Sequence, residues 1–88
     1  MRISKDVVVR QIAGKILLIP TGKAALNANG LISLTPSGEL LVRKLQEECT
    51  SDDLVNALTD EYEVGREQAA ADAGKFLDKL RGFGLLCE

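Results

Sequence analysis

The sequence contains no histidine and no tryptophan, and only two cysteines, Cys49 and Cys87. Without an imidazole it lacks the usual general base near neutral pH and the commonest nitrogen ligand for zinc. The cysteines form no CxxC pair, and read as two unpaired thiols of a reducing cytosol rather than as a disulfide or redox couple. No GxSxG elbow, Walker loop or HExxH helix is present. Gly82-Phe83-Gly84 has the form of a helix end, not of a phosphate cradle. The expectation is a protein with no catalytic residues, no metal site and no cofactor of its own.

Long apolar runs are also absent. No stretch approaches the roughly 18 residues needed to span a bilayer. The start, Met1-Arg2-Ile3-Ser4-Lys5-Asp6, leads into no long hydrophobic segment, so no signal peptide is read. Cytoplasm is the expected location, with no membrane partner. Nor is there an excess of positive charge: Lys and Arg number 11 against 13 Asp and Glu, for a net charge of -2. Nucleic acid, whose phosphates reward clustered basic residues, is a poor match. Aromatics make up only 3% of the chain, as Tyr62, Phe76 and Phe83, so the core must come from Leu, Ile, Val and Ala.

What is present divides into an extended half and a helical half, meeting near Thr35, within one domain covering residues 1–88. Val7 to Ile12 and Ile16 to Ile19 are β-rich runs around Ala13-Gly14, the second ended by Pro20, and they predict a hairpin. Alanine disfavours positive φ, so a three- or four-residue loop with Gly14 left-handed is expected. Thr21 to Asn29 reads as a loop; alternatively, Ala24 to Asn27 pairs across the Asn29-Gly30 turn. Leu31-Ile32-Ser33-Leu34 is the expected third strand.

Three helices follow. Thr35-Pro36 supplies a cap and a proline at the first helical position, with Leu40, Leu41 and Leu45 on one face and an end near Cys49. Thr50 with Asp53 resembles a capping box, and Leu54, Val55, Leu58 and Tyr62 form an apolar stripe. Gly65 opens the third helix, whose buried face is expected to be Ala69, Ala73, Phe76, Leu77 and Leu80. Gly84 is a left-handed stop, after which Leu85-Leu86 can fold back onto the core.

The acids Asp52, Asp53, Asp60, Glu61 and Glu63 read as a solvated face, not as a catalytic pair. Three strands and three helices invite comparison with winged-helix DNA regulators. The second helix is acidic, however, and the third mixes both signs of charge without a basic stripe. A peptide-binding mode suits the residues better, because an open sheet edge beside a helix can accept an extended chain as an added strand. One flank of the third helix carries Ala70, Gly74 and Arg81; the other carries Asp72, Lys75 and Lys79. Ala70 and Gly74 are small enough for close backbone approach, and Arg66 or Arg81 can hold a peptide carboxylate. A purely structural or dimerisation module remains the other alternative, and the oligomeric state is open.

The succession Leu31-Ile32-Ser33-Leu34, a short helix, Thr50-Ser51-Asp52-Asp53-Leu54, Leu58-Thr59-Asp60-Glu61-Tyr62-Glu63-Val64, then Asp72, Phe76-Leu77, Leu80 and Gly84-Leu85-Leu86 resembles the PqqD family. The likeness runs from about Val7 to Leu86. The sequence departs from the family in having Thr35 where Asn is frequent, and no aromatic residue in its first helix. The resemblance implies an α+β, winged-helix-like domain: a three-stranded antiparallel sheet followed by three helices. It further implies capture of the leader of a ribosomally made precursor peptide, and its presentation to a radical SAM enzyme, in synthesis of pyrroloquinoline quinone (PQQ) or of a related product. The leader adds a strand antiparallel to the third strand, which places the edge at Leu31, Ile32, Ser33 and Leu34. On the helix side, helical angles suggest Arg66, Ala70, Gly74, Leu77 and Arg81. The iron–sulfur cluster and SAM belong to the partner.

Overall fold

The computed structural model describes residues 1–22 and 32–88. Its elements are β1 (Arg2–Ile3), β2 (Val7–Ile12), β3 (Lys15–Pro20), β4 (Ile32–Leu34), α1 (Pro36–Leu45), α2 (Ser51–Glu61), α3 (Arg66–Gly82) and β5 (Leu86–Cys87). The loop expected from Thr21 to Asn29 is described only at Thr21 and Gly22; the rest of it, the Asn29-Gly30 turn and Leu31 at the head of the third strand fall outside the described residues. The three-stranded sheet followed by three helices is the mixed α+β arrangement expected from the sequence.

The hairpin turn is tighter than expected. Ile12 pairs directly with Lys15, which leaves Ala13 and Gly14 alone in the loop, at φ 53° and 78°. Positive φ at both central residues is the geometry whose twist matches that of the flanking strands. The six-residue pairing from Val7↔Pro20 to Ile12↔Lys15 holds Ala13 in a conformation that costs an L-residue about 1–2 kcal/mol. Local preference is overridden by strand register.

β3 is the central strand, with β2 on one side and β4 on the other. Side chains alternate across the sheet, so the pair Leu18↔Ile32 points to the core, at 0% and 5% exposure. Ser33, opposite Leu17, is exposed on the other face. β2 reaches beyond the helices, leaving Val8, Val9 and Ile12 exposed.

Each helix begins as its residues direct. Thr35 Oγ1 accepts a hydrogen bond from the Gly38 N–H (3.1 Å), with Pro36 in the first turn of α1. Thr50 and Asp53 complete the capping box of α2, through Asp53 N–H to Thr50 Oγ1 (3.2 Å) and Thr50 N–H to Asp53 Oδ2 (2.8 Å). α3 starts at Gly65 without a side-chain cap. It ends in a Schellman motif: Gly84 at φ 72°, its N–H bonded to the Arg81 carbonyl (3.0 Å) and the Leu85 N–H to the Leu80 carbonyl (2.9 Å). Leu85 is thereby turned into the core, fully buried, and Leu86 pairs with Ile3 in a small second sheet of β1 and β5. That sheet has no counterpart in the sequence reading, which placed Leu85-Leu86 against the core without a strand partner.

The helices bury the faces their spacing sets. Leu41, Val42 and Leu45 of α1 meet Leu54, Val55 and Leu58 of α2 in one core, closed by Ala69, Ala73, Leu77 and Leu80 of α3. Leu40 and Phe76 are half-buried at its margin. Tyr62 departs from its stripe: the backbone leaves the helix there (φ −125°, ψ 152°), and the ring is 37% exposed. No charged or polar side chain is buried among the described residues.

Two stability changes test this account by denaturant unfolding. Ala13→Asn supplies an Asn-Gly pair that tolerates positive φ, and should stabilise the domain by about 1 kcal/mol. Leu54→Ala, at a position with 0% exposure, should cost about 2–5 kcal/mol.

Candidate functional site

A strand at the end of a sheet offers alternate main-chain N–H and C=O groups to a further strand. β4 is such a strand: β3 pairs with one of its sides, and among the described residues nothing pairs with the other. Its short run presents an exposed serine between a buried and a half-buried apolar residue, Ile32 and Leu34. Chain direction then carries the path straight from Leu34 through Thr35 into α1.

Gly38 shapes the ground next to this edge. A Cβ added there would lie 3.3 Å from Phe76 Cε1, 3.4 Å from Thr35 Oγ1 and 3.5 Å from Leu34 Cδ2. The missing side chain lets the first turn of α1 sit against Phe76 of α3, bringing that helix alongside the end of β4. Between them runs a groove of about 360 Å³, lined by Thr35, Ser37 and Gly38 on one wall and Asp72, Lys75, Phe76 and Lys79 on the other. A more apolar hollow of about 310 Å³ adjoins it, sharing Ser37, Leu58 and Asp72 and adding Pro36, Tyr62 and Val64. The two form one trough that starts where β4 ends and follows α3 back toward the end of α2.

The positions singled out from the sequence are distributed unevenly around this trough. Ile32, Ser33 and Leu34 make up β4, and Leu31 lies outside the described residues. Leu77 is a core residue, 4% exposed. Arg66 reaches away to α2, donating from Nη1 to Asn56 Oδ1 (2.7 Å). Arg81 bonds Asp78 (2.8 Å) and Glu88 (2.6 Å), and the Glu88 carboxylate pushes its pKa above the ordinary arginine value. Ala70 is exposed, and Gly74 is half-buried with open space where a side chain would go. The flank of α3 that lines the groove is the one bearing Asp72, Lys75 and Lys79, at helical spacing with Phe76. Helical periodicity separates the two flanks but does not say which one turns toward β4. Thr35 entered the sequence reading as a helix cap alone, and Ser37 and Gly38 did not enter it. A glycine inside a first helical turn was the available signal that something packs closely there.

The charges of the groove are simple. Asp72 Oδ1 accepts a hydrogen bond from Gln68 Nε2 (2.9 Å), on its own helix. Lys75 and Lys79 are exposed and take part in none of the ion pairs of the described residues. Away from the groove, Asp52, Asp53, Asp60, Glu61 and Glu63 are all exposed. Among the described residues no three His, Cys, Asp or Glu side chains gather as metal ligands, and no helix is long and apolar enough to cross a membrane. The Cys49 thiol is pushed above its ordinary pKa, chiefly by burial and then by Asp53, while Cys87 is exposed. The arrangement can hold an extended chain through main-chain bonds and side-chain pockets.

These features define a class of small domain, in which an open sheet edge leads into a groove along a helix. The model of the family described as coenzyme PQQ synthesis protein D (PqqD) matches residues 14–86, and the chain belongs to that family, as its sequence pattern indicated. Among solved structures it is similar to "TbiB1 in Complex with the TbiA(beta) Leader Peptide", at 28% identity over 98% of this chain and 94% of that one, with a TM-score of 0.77. "Lasso peptide synthetase B1 complexed with the leader peptide" shares the fold, at 24% identity over 99% of this chain and 96% of that one, with a TM-score of 0.76. No curated protein sequence matches the chain.

Two measurements follow from these placements. Gly74→Ala adds a methyl group into open space in a helix interior, and should raise stability by about 1 kcal/mol. If a bound chain lies against the Lys75 and Lys79 flank, that variant also retains its affinity. Alkylation at neutral pH, followed by mass spectrometry, should label the exposed Cys87 before the half-buried Cys49.

Proposed function

We propose that the domain captures the leader segment of a ribosomally made precursor peptide as an added strand on β4, and presents it to a radical SAM enzyme that modifies the peptide. The observation that carries this reading is the side of β4 that has no strand partner among the described residues, next to the trough that begins at Thr35 and runs along α3. Membership of the PqqD family supports it, as does likeness to TbiB1, a protein solved in complex with a leader peptide.

The chemistry asked of the chain is recognition. In an added antiparallel strand, every second residue of the leader exchanges main-chain bonds with β4, and its side chains alternate between the two sides of the sheet. Side chains on one side meet the trough. The positions engaged are Ile32, Ser33 and Leu34 of β4, with the groove-lining flank of α3 as the opposite wall. Main-chain bonding gives affinity that depends little on sequence, and the pockets add choice. The iron–sulfur cluster and the SAM reside on the partner, so the carrier needs no titrating group of its own.

Titration with the leader encoded by a neighbouring precursor gene tests the reading. Amide resonances of Ile32 to Leu34 should shift and gain protection from exchange. Leaders N-methylated at alternate residues should bind several-fold more weakly where the methyl replaces a donor facing β4. Amides of β4 that stay unmoved while another surface responds would exclude strand addition.

A further inference from the structure

We propose that Lys75 and Lys79 make the groove selective for an extended peptide carrying two acidic side chains, two residues apart, on the face it turns toward α3. This rests on the strand-addition reading above and adds a side-chain chemistry to it.

The two lysines line the same wall of the groove, one helical turn apart, or about 6 Å along the axis. Alternate residues of an extended strand point to the same side and recur about every 6.6–6.8 Å. The two repeats agree closely enough for one strand to offer a carboxylate to each ammonium. Both lysines are exposed and neither has an ion-pair partner among the described residues. Of the neighbouring acids on α3, Asp78 is paired with Arg81 (2.8 Å), while Asp72 accepts from the Gln68 amide (2.9 Å) and forms no ion pair among the described residues. In a chain whose net charge is -2, two lysines against one carboxylate on the wall of the groove are a local reversal of sign.

The groove is also polar along its length. Asp72 is its one carboxylate among the described residues, placed where the groove joins the apolar hollow with Tyr62 and Val64. Potential therefore falls from Lys79 toward Asp72. A register that slides one acid past Lys75 would set it against Asp72. The same three side chains thus select a composition and a register.

A random-sequence peptide display library, screened against the folded domain and against K75E/K79E, tests the proposal. The unaltered domain should enrich peptides with Asp or Glu at positions two apart, and K75E/K79E should enrich Lys or Arg at that spacing. An acidic peptide from the first pool should bind the charge-reversed domain about tenfold more weakly or worse. K75Q/K79Q, which removes the charges without inverting them, should lose the acidic preference altogether. Pools with the same charge preference for all three proteins would overturn the lysine proposal. Amide shifts with the enriched peptides keep the two readings separate. Unchanged charge preference with shifted Ile32 to Leu34 amides refutes the role of the lysines alone. Enriched peptides that leave those amides still refute strand addition itself.

Discussion

Leu18 on the central strand and Ile32 on the outer one lie directly opposite each other, and both are buried beneath the helices. This pair fixes the register of β4, because sliding it by one residue would drive Ser33 into the core and Ile32 into water. The strand has only three residues, so it has little else to hold it. Its far side is consequently presented at one height and in one phase relative to α3. A site made of backbone requires that kind of fixity, since its donors and acceptors cannot be re-aimed by side-chain rotation.

The second requirement is proximity between that edge and a helix. Small residues supply it at two levels. Ala69 and Ala73 are buried in the core with only a methyl group each, and Gly38 leaves room for the ring of Phe76 against the first turn of α1. The trough is lined in part by Gly38, and its character comes from what surrounds that residue: lysines on one wall, helix-start residues on the other, and an apolar hollow at one end. Its working surface is assembled from residues that hold the fold together and from ones that contribute nothing to the core.

Most of the architecture was legible in the sequence because it is written in short-range signals. Thr35-Pro36, the Thr50–Asp53 box and Gly84 are caps whose geometry depends on neighbours within one turn, and each sits where the residues indicate. Long-range consequences were less accessible. The tight turn at Ala13-Gly14 follows from the pairing of two whole strands, which outweighs the reluctance of alanine. The β1–β5 sheet joins positions far apart in the chain and only two residues long on each side, too short for any periodic pattern. The flank of α3 that faces the groove was hidden for another reason. Ala70 with Gly74 and Lys75 with Lys79 both flank the buried stripe, and only the packing of Phe76 against Gly38 decides between them.

The small β1–β5 sheet bears on how the domain is made. Its strands come from opposite ends of the sequence, and the Ser4 N–H bonds the Leu85 carbonyl (2.7 Å) beside it. During synthesis β1 emerges first and must wait, unpaired, until β5 leaves the ribosome. The hairpin and the caps form from local contacts, but the last helix and this clasp close the structure. The trough, whose wall is α3, therefore forms only once α3 has left the ribosome. Only the finished domain offers a place for another polypeptide to lie, and its own unfolded segments have lost the chance to occupy it first.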